Sequence, residues 1–187
     1  MNLLPDKIDN VDVKTGDVIL VSKSSSILLK GMKFFQKDPV FFGHALIAKN
    51  EYSAYEAKKT IRISNIKEVI DSYGFYLIVR KKNFTPTQKN IFQRLIKDLV
   101  GRPYGFKRLL LQILDNIFHT TKFTKLLKNV DNQICSSLVA WIYYVLFNIQ
   151  FSNKVWYSCD PDDIHDEITN NDSWTIISSN LPKESNN

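Results

Sequence analysis

Cysteine, histidine, glycine and proline are all scarce in this chain: 187 residues contain two Cys, three His, six Gly and six Pro. Two cysteines, Cys135 and Cys159, are too few for a disulfide scaffold or a four-cysteine zinc site. The low glycine and proline content excludes a collagen-like or linker-like chain, and an aromatic share of 12% argues against disorder. No apolar run approaches the ~20 residues needed to cross a bilayer. The longest, Leu138 to Phe147 with a continuation to Phe151, reads as a buried helix. The first residues, Met1 to Lys7, lack the apolar stretch of a secretory signal, so the expected location is cytoplasmic or membrane-peripheral.

The remainder is an ordinary globular composition, 44% hydrophobic and 24% charged, with a net charge of +6. It predicts one α+β domain over residues 1–187, with a polar, frayed tail from about residue 180. Gly16 to Ser22 reads as a buried strand, and residues 24–36 have the apolar spacing of a short helix. Two strands, Phe41–Ala48 and Ser53–Lys58, flank a turn at Lys49-Asn50-Glu51. A helical turn at Ile66–Ser72 and a β-type run at Tyr76–Arg80 follow. Thr85-Pro86-Thr87 opens a helix whose Ile91, Phe92, Leu95, Ile96 and Leu99 share one face, and Gly101-Arg102-Pro103 ends it. Further helices are expected at about 106–117, over Cys135–Phe147, and after the cap at Asp160-Pro161. Trp174–Ile177 reads as a last strand.

Charge is concentrated in the middle of the chain. Between Arg80 and Lys128 twelve Lys and Arg stand against Asp98 and Asp115, a local excess of +10. Such a stretch is either a solvated helix face or a patch for an anionic membrane surface. No zinc-finger, recognition-helix or RNA-sheet motif accompanies it, so a nucleic-acid partner is not expected.

Three residues stand out against their surroundings. His44 interrupts an apolar strand, where an imidazole needs hydrogen-bond partners for its ring nitrogens. Glu56 lies inside the partner strand; a three-residue loop at 49–51 would place 44 directly opposite 56. A two-residue loop would turn Glu56 to the other face. Cys135 opens the most apolar helix, where free amides and the helix dipole favour a thiolate. Each also fits a structural reading, as a satisfied core histidine or an inert buried cysteine. Together they make a nucleophile, a base and an orienting acid. Cys159 reads as inert, and His119 and His165 as surface residues.

Six segments in order strengthen this reading: Gly16-Asp17-Val18-Ile19-Leu20, Gly43-His44-Ala45-Leu46-Ile47, Tyr55-Glu56-Ala57, Gly101-Arg102-Pro103-Tyr104-Gly105, Cys135-Ser136-Ser137-Leu138-Val139 and Pro161-Asp162-Asp163. From Gly16 to about Ile164 the chain resembles the circularly permuted papain-like hydrolases, NlpC-type proteins of the YiiX/YebB-like group, related to the lecithin:retinol acyltransferase fold. The resemblance implies an antiparallel sheet packed against a helix that carries the nucleophile. It also implies Cys135 as nucleophile, His44 as base, Glu56 as orienting acid and Tyr104 near the oxyanion. Arg80 resembles a recurrent strand-ending arginine of the group. The chain departs from the group's habits at Ser136-Ser137, at Tyr104-Gly105 and at Gly43 before the histidine. The chemistry implied is acyl transfer to cysteine, on a short-peptide or cell-wall-type amide or an acyl lipid, with no metal or organic cofactor required; the alternative is a non-catalytic ligand- or membrane-binding module of the same fold.

Overall fold

The computed structural model describes residues 11–22, 42–103 and 135–181. In chain order its elements are β1 (Val18–Ser22), β2 (His44–Ala48), β3 (Ser53–Ala57), β4 (Ile61–Asn65), α1 (Ile66–Tyr73), β5 (Phe75–Lys81), α2 (Pro86–Lys97), α3 (Cys135–Phe147), α4 (Pro161–Thr169) and β6 (Trp174–Ser179). Short 3₁₀ turns at Phe151–Asn153 and Trp156–Ser158 join α3 to α4. The fold is α+β. The six strands form one antiparallel sheet in the order β4-β3-β2-β1-β5-β6.

The central strands are apolar on both faces, which is why Val18-Ile19-Leu20-Val21 reads as an unbroken run. Alternation along the strands sorts their side chains into two layers. Val18, Leu20, Ala45, Ile47, Leu77 and Val79 meet side chains of α2, α3 and α4 on one face. Ile19, Val21, Leu46, Ala48 and Ile78 meet Ile66, Val69 and Ile70 of α1 on the other.

Local chemistry fixes the helix ends. The Thr85 hydroxyl accepts the Gln88 amide at 3.2 Å while Gln88 Oε1 accepts the Thr85 amide at 3.0 Å, and Pro86 follows at the first helical position. Asp160 and Asp163 make the same reciprocal box at the start of α4, both bonds at 2.9 Å. Asn65 caps α1 through the Glu68 amide at 3.1 Å, and Gly74, at φ +96°, closes it. α3 is buried around most of its first nine residues, as its continuous apolar sequence requires. Its Tyr143 hydroxyl donates to the Gly16 carbonyl at 2.5 Å, tying the helix to the start of β1.

Arg80 has a structural task at the same place. Its Nε and Nη2 donate to the two carboxylate oxygens of Asp17 at 2.9 and 2.8 Å, and its Nη2 also bonds the Asp12 carbonyl. This fork locks the end of β5 onto the turn before β1.

Two expectations are corrected. Ile61–Asn65, passed over as a strand, is the sheet's β4. The β2–β3 hairpin pairs Leu46 with Glu56, so the register is displaced by two residues from that of a three-residue loop. Asn50 explains the longer tip: its Oδ1 accepts the amides of Tyr52 and Ser53 at 3.0 and 2.9 Å, an Asx turn that adds length. A shift of two preserves the face, so His44 and Glu56 become diagonal neighbours on one side of the sheet. The helices expected at 24–36 and about 106–117 lie outside the described residues.

Candidate active site

His44 is the first residue of β2, and Glu56 is the penultimate residue of β3. Both face the α1 side and both are buried, at 6% and 0% exposure. His44 Nε2 lies 3.1 Å from Glu56 Oε1, which fixes the ring's orientation and tautomer. The other carboxylate oxygen, Oε2, accepts Arg62 Nε at 2.9 Å, Arg62 Nη2 at 2.7 Å and the Ser64 hydroxyl at 2.7 Å. Arg62 stands directly opposite Glu56 in the β3–β4 ladder. Burial alone would raise the Glu56 pKa; the bonds from His44, Ser64 and Arg62 outweigh it and hold the carboxyl down at about 2. The acid is therefore ionised and fully used.

Cys135 approaches from the opposite layer, at the first residue of α3. The β2–β3 ladder ends at Leu46–Glu56, and the Ala45 amide beyond it bonds the Cys135 sulfur. The Ser136 amide in the helix's first turn also bonds the sulfur, as does the His44 ring. With Nε2 on Glu56, Nδ1 is the ring nitrogen left for the thiol. Burial opposes ionisation of Cys135, but the imidazolium charge, its hydrogen bond and the two amides lower the pKa below that of a free thiol. His44 responds in the opposite sense. Burial pushes its pKa down, and the Cys135 thiolate and Glu56 together raise it to about 9. The two shifts favour a thiolate–imidazolium pair.

Cys159 is the contrast. It is fully buried, and its thiol is pushed up by that burial and by the carboxylates of Asp163 and Asp160. Its carbonyl instead accepts the Ser136 hydroxyl at 2.7 Å, fastening the first turn of α3 to the loop before α4. Both cysteines are free thiols.

Tyr73, the last residue of α1, lies over His44 with ring centroids 5.6 Å apart and planes 8° from parallel. Its hydroxyl is pushed up to about 12, first by burial and then by the negative Cys135 and Glu56. Behind the histidine, Asp162 Oδ1 accepts the Phe42 amide at 2.9 Å, anchoring the residue two before His44 to α4. Burial first, and then the neighbouring carboxylates, raise Asp162 to about 7. His165 is half-buried against the Phe42 ring at 5.1 Å, so it is more enclosed than a surface residue.

The fold therefore brings Cys135, His44 and Glu56 into one hydrogen-bonded chain. Tyr104 lies outside the described residues. Arg62, Ser64 and Tyr73 were missed by the sequence reading. The alternation Ile61-Arg62-Ile63-Ser64 could have revealed the first two as one face of a half-buried strand. Tyr73 ends the apolar stripe Ile66, Val69, Ile70, with nothing in its spacing to distinguish it from a core residue.

An antiparallel sheet whose histidine strand precedes a buried, cysteine-initiated helix defines the class of fold. No family model matches the sequence, and no curated protein matches it. Among solved structures, the fold is similar to that of metalloprotein YiiX from Escherichia coli O157:H7, a DUF1105 protein, with a TM-score of 0.59 and 16% identity. The match covers 91% of this chain and 99% of that one, so the YiiX-like fold extends over nearly the whole molecule. YiiX is described as a metalloprotein. Here, among the described residues, no three His, Cys, Asp or Glu side chains are grouped so as to hold a metal ion. Glu56, the carboxylate nearest the thiol–imidazole pair, has both oxygens engaged by His44, Arg62 and Ser64. Among the described residues, the donor set beside Cys135 does not fit a metal centre.

Proposed function

We propose that this protein is a cysteine-dependent acyl hydrolase that cleaves an amide bond in a short, peptide-like substrate. One observation carries the reading: the continuous hydrogen-bonded chain from Cys135 through His44 to a Glu56 held by Arg62 and Ser64. Its supports are the lowered thiol, the raised imidazole and the six-segment resemblance to permuted papain-like hydrolases.

In this mechanism the Cys135 thiolate attacks the carbonyl carbon, and the C=O electron pair moves to oxygen. The oxyanion is met by amides at the start of α3, where the dipole favours negative charge. The resemblance alone puts Tyr104 forward as a second donor. His44 gives its proton to the leaving nitrogen, the C–N bond breaks, and the acyl group remains on sulfur as a thioester. Water then adds with His44 taking its proton; the C–S bond breaks, and a carboxylate product leaves with the thiolate restored. Glu56 transfers no proton. It holds the ring and stabilises the imidazolium.

Iodoacetamide at neutral pH tests the activated thiol. Cys135 is expected to be alkylated selectively over Cys159, and His44→Ala to abolish the selectivity; slow, equal labelling of both cysteines defeats the proposal. The same chemistry runs on an acyl lipid. Incubation with a fluorogenic peptide amide and with an acyl ester separates the two, by release of amine or of fatty acid.

A further inference from the structure

At the other end of the sheet from His44 lies a cavity of about 410 Å³, beside the turn before β1 and the end of β5. Among the described residues, five cations line it, Lys14, Arg80, Lys81, Lys82 and Lys89, against one carboxylate, Asp17. Arg80 is committed to Asp17 and Asp12, and Lys14 pairs with Asp12 at 2.9 Å. The Lys81, Lys82 and Lys89 ammonium groups have no carboxylate partner among the described residues. Lys81 and Lys89 instead lie over the rings of Phe147 and Phe84, at 5.7 and 6.0 Å. Burial, and then the neighbouring charge of Lys82, lower the Lys81 pKa.

The placement follows from the chain. Arg80-Lys81-Lys82 continue β5 past the apolar part of the sheet, where side chains alternate toward opposite faces. Asn83, at φ +60°, then turns the backbone so that Phe84 and Lys89 close one wall. Phe84 and Ile177 supply apolar surface inside this cationic rim. The volume exceeds what a bare phosphate fills and lies within the range of small-ligand clefts.

We propose that this cavity binds a phosphate-bearing ligand carrying at least two negative charges on a small apolar body, drawn from a soluble phosphate ester or a phospholipid headgroup. Lys81, Lys82 and Lys89 neutralise the phosphate, and Phe84 and Ile177 cover the attached group. The site is separate from the thiol and does not depend on the hydrolase reading.

The test uses the full chain with two probes, phenyl phosphate in solution and phosphatidylcholine vesicles with and without phosphatidic acid. Lys81→Glu/Lys82→Glu/Lys89→Glu is compared with a charge-matched control at exposed positions, Lys58→Glu/Lys59→Glu/Lys97→Glu. The pocket variant is expected to weaken binding about tenfold or more, with the control near wild type. Stronger capture by phosphatidic acid vesicles than by phenyl phosphate assigns the headgroup; the reverse assigns a soluble ester. Equal loss in both variants, or no binding of either probe by wild type, overturns the proposal. Circular dichroism verifies folding, and Lys→Gln at the same three positions replaces the reversal if it fails to fold.

Discussion

Arg62 puts both its Nε and its Nη2 on a single oxygen of Glu56, the one that His44 does not use. The carboxylate is thereby divided between a strand that fixes it and an imidazole that it fixes. Glu56→Gln keeps the shape but removes the charge that stabilises an imidazolium. Alkylation of Cys135 by iodoacetamide is expected to slow about a hundredfold. Arg62→Ala is the milder change, because half of that side chain is exposed and Ser64 and His44 remain. Loss of about 1 kcal/mol in urea denaturation, with a three- to tenfold slower alkylation, is expected at about the level of a single charge-assisted bond near the surface. An Arg62→Ala rate as low as that of Glu56→Gln would contradict this division of roles.

The ion pair gives reactivity and stability different pH dependences. His44, raised from 6.5 to about 9, contributes stability that is complete below 6.5 and lost as pH rises through about 9. Cys135, lowered from 9.0, contributes stability that is complete above 9.0 and lost as pH falls through its folded value. Between 6.5 and 9 the unfolded pair holds one proton, on sulfur, and in the folded pair the raised imidazole and the lowered thiol shift that proton toward His44. The two slopes oppose each other in that window. In the proposed mechanism the imidazolium protonates the leaving nitrogen, so hydrolysis by this route is expected to fall above about pH 9. In Cys135→Ala the His44 proton loses its partner, so an NMR titration is expected to find the His44 pKa below the wild-type value; an unchanged value would show that no ion pair exists.

Tyr73 is separated by its two functions. Its ring packs on the imidazole face, so Tyr73→Ala is expected to slow Cys135 alkylation by up to about tenfold and to blunt the His44 titration. Tyr73→Phe keeps the stack and loses only the hydroxyl, and its rate is expected within about twofold of wild type. A large defect in Tyr73→Phe would assign the work to the hydroxyl instead.

Gly16 meets two independent demands. Its φ of +91° disfavours a side chain, and a Cβ there would stand 1.8 Å from the Phe84 ring. Gly16→Ala is expected to destabilise the protein by about 3 kcal/mol or more, measured by thermal or urea unfolding. Adding Phe84→Ala removes the collision and leaves the backbone strain, so the double variant recovers only part of the loss. Full recovery would mean that the ring alone sets the requirement.

The strands and helices with strong local signals were legible from the sequence. Capping residues at Thr85 and Asp160 and the unbroken apolar run of β1 are short-range patterns that survive folding unchanged. β4 was missed because half its side chains are exposed and its Arg and Ser read as loop chemistry. The hairpin register was misplaced because Asn50 lengthens the tip through a side-chain turn that spacing alone does not reveal. Even so, the two-residue error left His44 and Glu56 on one face, since faces repeat every two residues. The Cys135–His44 pairing was legible only as compatible chemistry. It depends on where β2 and β3 part, and that is a tertiary event. Tyr73 depends on α1 crossing the sheet to end above His44, which no local pattern encodes.

β4 is an outermost strand of the sheet among the described residues, and it carries Arg62 and Ser64. The most protected rungs lie inward, at β1 and its neighbours, whereas an edge strand opens first as the structure loosens. Peeling β4 away takes Arg62 and Ser64 from Glu56, and with them the buried Ile61. The thiol should then lose its reactivity at a temperature or denaturant concentration below that of global unfolding. In this fold the proposed chemistry is tethered to an edge of the sheet, so alkylation of Cys135 is expected to double as a sensor for the integrity of that edge.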